Sequence, residues 1–100
     1  LLKKSVDKKN IENHLIVTKE IFKDLGFKTL KLFYENKIPL YWDYKYNLKK
    51  SLSFANEKKA KFVIIIGDEE YNKNVYTLKN LTNSNQHKLS IEELIKTLIK

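Results

Sequence analysis

The side chains best suited to chemistry lie in a basic and aromatic segment, residues 41–50. Its tyrosines offer ring faces on which an unpaired nucleobase can stack, and its lysines can meet phosphate where a strand passes into a helix. The N-terminus of a helix itself attracts phosphate, and an asparagine is a favourable N-cap there. The segment therefore predicts contacts with single-stranded RNA. The candidate residues are Tyr44, Tyr46, Asn47, Lys49 and Lys50.

The same segment also has a purely structural explanation. Large aromatic side chains are mostly buried, so we expect Trp42 to face the core. Lysines on a helix are often only a solvated surface. For Tyr44, Tyr46 and Lys49 the sequence leaves both interpretations open.

Three consecutive carboxylates, Asp68, Glu69 and Glu70, follow an apolar run at residues 62–66 and Gly67. They could serve as metal ligands or as an acid and base pair, but neither a histidine nor a second cluster of acidic residues accompanies them. We therefore expect exposed acids in a turn and no metal site. We also expect Gly67 to let the chain leave the strand in a conformation that a side chain would resist.

Catalysis by this chain alone is not supported by any motif. Gly26 and Gly67 are the only glycines, so a glycine-rich phosphate loop is excluded. His14 and His87 are the only histidines, and neither stands beside a nucleophile elbow. Both are expected to be structural, and no cofactor is expected in the chain.

Composition narrows the class of protein and of partner. One hundred residues allow one domain. The net charge of +8 is the excess of 20 basic residues, all of them lysine, over 12 acidic residues. Such a charge favours polyanions, above all nucleic acid, although lysine can also be the default solvating residue. The chain has no cysteine, and we expect neither a signal peptide nor a membrane span, so we expect a soluble protein in a reducing compartment.

Hydrophobic periodicity predicts the elements that position these residues. Strands are expected at 14–18, 38–44, 62–66, 75–81 and 86–89, and helices at 21–37, 47–59 and 90–100. Residues 71–74 are expected to form a polar turn. Inside the first helix, we expect Gly26 to permit close packing or Asp24 to cap a later start.

This order predicts an α/β fold, a three-layer α/β/α sandwich with a mixed sheet of about five strands. Right-handed crossovers make the first three strands parallel, and the hairpin 75–89 adds an antiparallel edge. Open sheets of this kind bind ligands at the carboxyl ends of their strands. Asp68, Glu69 and Glu70 follow such an end.

Three segments together resemble the C-terminal anticodon-binding domain of class II aminoacyl-tRNA synthetases, most closely in the histidyl branch. Residues 43–56 are similar to the family's Asp-Tyr, spacer, Leu-Lys-Lys and aromatic-Ala stretch. Residues 60–70 match its buried strand ending in Gly, with Glu three positions on. Residues 75–81 and Gln86 resemble its next strand and the Gln after the following turn.

The resemblance implies that residues 14–100 form a domain that binds the tRNA anticodon stem-loop, and that 1–13 link it to an upstream catalytic domain. Glu70 would then accept hydrogen bonds from a base edge, and Lys79 would meet phosphate or a base acceptor. ATP-dependent ligation of histidine to tRNA, with ATP and magnesium, would belong to the full-length protein and not to this chain. That parent would be a cytoplasmic homodimer in protein biosynthesis, without contact to a membrane.

Two departures from the family pattern keep alternatives open. Asn80 replaces the usual Asp, and residues 34–37 replace a Leu-Arg pair and a Gly. The threonyl and prolyl synthetases share the expected fold, so the domain could belong to either. A third alternative is a synthetase-like interaction or dimerisation module that binds no RNA.

Overall fold

The structure, a computed structural model, describes residues 12–44 and 47–99. The predicted linker lies almost wholly outside these residues and stays a prediction. The helices and strands are β1 (Asn13–Val17), a 3-10 turn (Glu20–Phe22), α1 (Lys23–Glu35), α2 (Leu48–Glu57), β2 (Phe62–Ile66), α3 (Asp68–Lys73), β3 (Tyr76–Asn80), β4 (Gln86–Leu89) and α4 (Ile91–Leu98).

The strands form one mixed sheet in the order β1-β2-β3-β4. β1 and β2 are parallel, from Asn13 opposite Phe62 to Val17 opposite Ile66. β3 runs antiparallel to β2, and β4 returns antiparallel to β3. The predicted α/β fold, with parallel strands and an antiparallel hairpin at one edge, is confirmed.

Both faces of β1 and β2 are covered, because successive side chains of a strand point to opposite faces. Leu15 and Ile64 lie in one core with α1 and α4, whereas Ile16 and Val63 lie in a second core under α2. Phe33 of α1 and Leu94 of α4 are fully buried in the first core. The three-layer sandwich follows directly from this two-sided burial.

The predicted strand at residues 38–44 is reduced to a single bridge between Tyr41 and His14, so the described sheet has four strands rather than five. The Leu15 N–H donates to the Tyr41 carbonyl at 2.7 Å, and the Tyr41 N–H donates to the Asn13 carbonyl at 2.9 Å. Pro39 has no N–H to extend the ladder on one side. On the other side, Tyr44 has a φ of 65°, which ends the extended backbone.

The expected turn at 71–74 is instead the second half of a short helix, α3, which closes at Asn74 in a left-handed conformation. Acidic residues stabilise the N-terminus of a helix, and the first turn of α3 holds three of them, Asp68, Glu69 and Glu70. The Glu70 carboxylate also accepts from the Gly67 N–H at 2.9 Å. A helix of this length has too little apolar periodicity to be recognised from sequence.

Gly67 leaves space for the Glu70 side chain and does not adopt an unusual backbone conformation. Its φ of −122° is ordinary extended backbone, so the expected conformational role was wrong. A Cβ at this position would lie 2.9 Å from the Glu70 Oε1 atom. The glycine therefore allows the carboxylate to fold back over the N-terminus of α3.

The helix that contains Gly26 begins at Lys23 with Phe22 as its N-cap, so Asp24 is not the cap. Close packing explains the glycine. A Cβ at Gly26 would lie 2.7 Å from Cη2 of the Trp42 indole. Trp42 is only 5% exposed, which confirms its predicted place in the core.

The helix starts at α2 and α4 were predicted correctly. Asn47 Oδ1 accepts from the Lys50 N–H at 3.0 Å and caps α2. Ser90 and Glu93 form a reciprocal capping box at the start of α4, with hydrogen bonds of 3.2 and 3.0 Å. Local hydrogen bonds of this kind depend on sequence spacing alone, which is why they can be predicted.

Gly26→Ala is expected to destabilise the chain by about 1 to 3 kcal/mol, because the new methyl group overlaps a rigid indole that has nowhere to move. The sign is informative, since alanine in a helix interior is otherwise favoured by about 1 kcal/mol. Chemical denaturation measures the effect. Lys28→Ala, at an exposed position of the same helix, is the control and should change stability by less than about 0.5 kcal/mol. A more stable Gly26→Ala variant would show that Trp42 does not constrain this position.

Candidate nucleic-acid interface

The residues predicted to bind RNA form two groups at the sheet. The first, which we call the α2 start, consists of Tyr44, Asn47, Lys49 and Lys50. The second consists of Glu70 and Lys79. The side chains bonded around Glu70 are called the Glu70 cluster, with the members Glu69, Glu70, Thr77 and Lys88. Tyr46 lies outside the described residues, and its predicted role stays a prediction.

At the α2 start, the helix N-terminus is open to an anion. Lys49 and Lys50 are exposed, and the first turn contains no acidic side chain. Asn47 is exposed as well, but its Oδ1 atom is engaged as the N-cap. The group can thus offer two mobile ammonium groups and the positive end of a helix dipole to a phosphate.

Tyr44 contributes an aromatic surface that packs on Trp42 and on Phe27 of α1. Its ring is 4.5 Å from that of Trp42 and 5.8 Å from that of Phe27, measured between centroids. Tyr44 and Phe27 are each about half exposed, at 50% and 49%. The half-exposed ring of Tyr44 rests on the buried Trp42. The structure therefore agrees with stacking of a base on Tyr44 and equally with a purely structural role for this ring.

The Glu70 carboxylate is largely enclosed, contrary to the expectation of an exposed turn acid. Its side chain is 12% exposed, and its Oε1 accepts from the Gly67 N–H. Its Oε2 accepts from Thr77 Oγ1 at 2.6 Å and from Lys88 Nζ at 3.1 Å. A carboxylate has about four acceptor sites and these donors use three, so about one remains for a base edge.

Burial alone would raise the pKa of the Glu70 carboxyl group, but its hydrogen bonds outweigh burial. Donors from Thr77, Lys88 and the Gly67 backbone leave this pKa below its ordinary value. Glu70 is therefore charged at neutral pH although it is nearly buried. An ionised, oriented acceptor is what recognition of a base donor requires.

Asp68 and Glu69, the other two acids, are exposed as predicted, and both are paired. Asp68 lies 3.0 Å from Lys19. Glu69 lies 3.2 Å from Lys73 and 3.4 Å from Lys88, and these contacts lower the pKa of its carboxyl group. Exposed ion pairs contribute little stability, so their main effect is on the surface potential.

Lys79 lies near the Glu70 cluster on the same face of the sheet. It is half-buried on β3, opposite Val63 and Gln86, two positions beyond Thr77. Thr77 is opposite Lys88, so period-two alternation places these side chains on the α2 side of the sheet. Lys88 and Thr77 were not predicted from the sequence. Each stands two positions from Gln86 or Lys79 on its strand, and this spacing indicates that all four share a face.

The structure brings Glu70 and Lys79 to one face but does not join them to the α2 start. The Tyr41 segment lies beside β1. It is three strand spacings from β3, which is roughly 14 Å at the usual spacing. No hydrogen bond or ion pair found among the described residues connects the two groups. They can contact one ligand only if it spans the carboxyl end of the sheet.

A buried histidine packs against the second half of α2. His14 is 0% exposed, and its ring lies 5.2 Å from Tyr41 and 5.7 Å from Phe54 of α2. Neither ring nitrogen has a hydrogen-bond partner. Burial lowers the pKa of His14, against a smaller opposing effect of Asp43. These contacts fit the predicted structural role.

Within residues 12–44 and 47–99, no group of three or more histidine, aspartate or glutamate side chains is placed to hold a metal ion. In the same part of the chain, no helix has the length and apolar character needed to cross a membrane.

Residues 15–100 match the protein family described as the anticodon binding domain. The chain belongs to the anticodon-binding domain family. This confirms the family that the sequence motifs indicated. It also accounts for the mixed sheet and its helices, since they are the architecture of the domain.

Curated relatives with this domain are histidine-tRNA ligases. The protein of Cytophaga hutchinsonii is 42% identical over 52 residues, which are 52% of this chain and 12% of that protein. The protein of Flavobacterium johnsoniae is 40% identical over 72 residues, or 69% of this chain and 14% of that protein. The chain thus spans only a small part of the length of these relatives.

Solved structures share the anticodon-binding domain fold. Histidyl-tRNA synthetase of S. aureus superposes with a TM-score of 0.79 at 24% identity, over 93% of this chain and 24% of that one. The RNA binding domain of threonyl-tRNA synthetase from Cryptosporidium parvum gives 0.81 at 16% identity, over 88% and 22%. At such identities the likeness shows the fold alone.

The stability of the domain is expected to fall as pH drops below about 6.5, the ordinary pKa of histidine. Because the folded pKa of His14 is depressed, the unfolded chain binds the proton more readily, and stability present above 6.5 is lost below it. His14→Phe should remove up to about 1.4 kcal/mol of this loss per pH unit. Denaturation at pH 7 and pH 5.5 measures it, with the exposed His87→Gln as control. Identical pH dependence in wild type and His14→Phe would contradict the assignment.

Proposed function

We propose that this chain binds the anticodon stem-loop of a tRNA as the anticodon-binding domain of a histidine-tRNA ligase. The observation that carries the proposal is the family match over residues 15–100, together with the names of the curated relatives. Those names favour the histidyl enzyme over the threonyl and prolyl alternatives. Ligation of histidine, with ATP and magnesium, is proposed for a catalytic domain of the full-length protein.

The proposed division of labour follows from the two groups of side chains. Lys49 and Lys50, at a helix N-terminus without acids, suit phosphates of the RNA backbone. Glu70 and Lys79 suit base edges, because one is an ionised acceptor and the other a donor on the same face. Tyr44 and Tyr46 are proposed to stack on unpaired bases.

The proposal extends to the partners and surroundings of the domain. We place the catalytic domain upstream of the chain, connected through residues 1–13, and the parent protein in the cytoplasm as a homodimer. The length of the relatives supports a further domain, since this chain accounts for 12 to 14% of them.

Binding of the full-length protein to labelled stem-loops tests the proposal. A stem-loop with the histidine anticodon should bind more tightly than one with altered anticodon bases. Equal binding of both loops, with a salt dependence typical of any basic protein, would contradict specific anticodon recognition.

The Lys49→Gln, Lys50→Gln double variant is expected to weaken binding to cognate and altered loops alike. It should also lower the slope of log affinity against log salt by about one to two units, because up to two phosphate contacts are lost. Fluorescence titrations at several salt concentrations measure the slope. Lys28→Gln, Lys31→Gln removes the same charge from exposed positions of α1 and is the matched control. Equal losses in both double variants would mean that only net charge matters.

Glu70→Gln is expected to reduce discrimination between the cognate and the altered loop by about 1 to 3 kcal/mol, with the salt slope nearly unchanged. Glutamine keeps the shape of the side chain and its bond to Gly67, so the domain should stay folded. Glu57→Gln, at an exposed position on α2, controls for the lost charge. Unaltered discrimination in folded Glu70→Gln would remove Glu70 from base recognition.

A further inference from the structure

Lys88 occupies a place in the Glu70 cluster that the proposed function has not used. It lies on β4, the edge strand, opposite Thr77 of β3. Its side chain crosses β3, and Nζ lies 3.1 Å from Glu70 Oε2, 3.4 Å from Glu69 Oε1 and 3.4 Å from Thr77 Oγ1. An ammonium group has three donors, and each of them has an acceptor here.

Thr77 and Lys88 both donate hydrogen bonds to Glu70, and Lys88 also donates to Thr77. The Thr77 hydroxyl donates its only hydrogen to Glu70, so its oxygen is free to accept from Lys88. Lys88 thereby fixes the hydroxyl as well as the carboxylate. Glu70 is bonded on both oxygens and bridges α3, β3 and β4.

Charge gives a second reason for this arrangement. Glu69 and Glu70 place two carboxylates at the end of the sheet where an RNA would approach, and carboxylates repel phosphate. Lys73 contacts only Glu69 among the ion pairs of the described residues, whereas Lys88 contacts both acids. The Lys88 side chain is also 41% exposed, so this charge balance is present at the surface that a ligand would approach.

We propose that Lys88 is the positioning residue of this surface, which holds the Glu70 carboxylate in one orientation and balances the charge of the acidic pair. A nucleobase edge that meets the cluster finds an oriented acceptor whose charge is balanced by Lys88, and not a bare carboxylate. The inference rests on the proposed function for its ligand, an RNA base, but not for the contact between Lys88 and Glu70.

Lys88→Gln tests the inference with two readouts. The first is an NMR titration of the Glu70 side-chain carboxyl group, whose pKa should rise because its cationic partner is lost while burial remains. The second is binding of cognate and altered stem-loops at pH 7. Discrimination should fall by about 5- to 100-fold, the range expected for loss of one base contact.

Two variants separate positioning from a general loss of charge. Lys73→Gln removes a cation bonded to Glu69, so it should leave the Glu70 titration and loop discrimination unchanged. Lys88→Arg keeps the charge and should restore most of both. Thermal unfolding of each variant confirms that the domain remains folded.

The outcomes of the two readouts are distinguishable. An unchanged Glu70 titration in Lys88→Gln, with cognate and altered loops weakened alike, would overturn the inference and make Lys88 an ordinary phosphate contact. A raised pKa that Lys88→Arg reverses, in a wild type that does not discriminate between loops, would contradict the proposed function and support Lys88 as the partner that positions Glu70.

Discussion

The parallel pairing of β1 and β2, with apolar side chains on both faces, is the constraint on which the structure depends. A parallel pair needs a long crossover, and two apolar faces need helices on both sides. Because both strands end at one edge, the segments that follow them meet there. Lys19 after β1 therefore reaches Asp68 after β2, and Phe22 stacks on Tyr71 at 4.6 Å. The position of the Glu70 cluster is a consequence of this pairing.

The elements that could be predicted are those whose cause lies within the element. The stripe and capping box of α4 and the β-branched run of β2 depend only on spacing along the chain. Residues 38–44 have the alternation of a strand, but alternation does not reveal how far a neighbouring strand can follow, and pairing stops at Tyr41. The helix α3 was not predicted, because its cause lies outside the element. It lacks an apolar stripe and is held by Glu70 through tertiary bonds, and short helices depend on such contacts.

The candidate site was predictable in its residue types but not in its environment. The sequence and its resemblance indicated Glu70 and Lys79, and both are on one face. Whether Glu70 is exposed depends on Thr77 and Lys88, which lie 7 and 18 residues further along the chain, on β3 and β4. Lys88 is one of 20 lysines, and its type alone does not separate it from the solvating ones. Only the cross-strand register, which places Lys88 opposite Thr77, distinguishes Lys88 from the other lysines.

Both α2 and α3 begin at the carboxyl end of this sheet, and the charges at their N-termini are opposite in sign. α3 begins with three acids that already satisfy its dipole, whereas α2 begins with Leu48, Lys49 and Lys50 and no acid. An anion is therefore attracted to α2 and repelled from α3, except where Lys88 compensates. On the proposed function, this polarity orients a nucleic-acid strand across the sheet. Its phosphates are drawn towards α2, so its bases are the groups left to face Glu70.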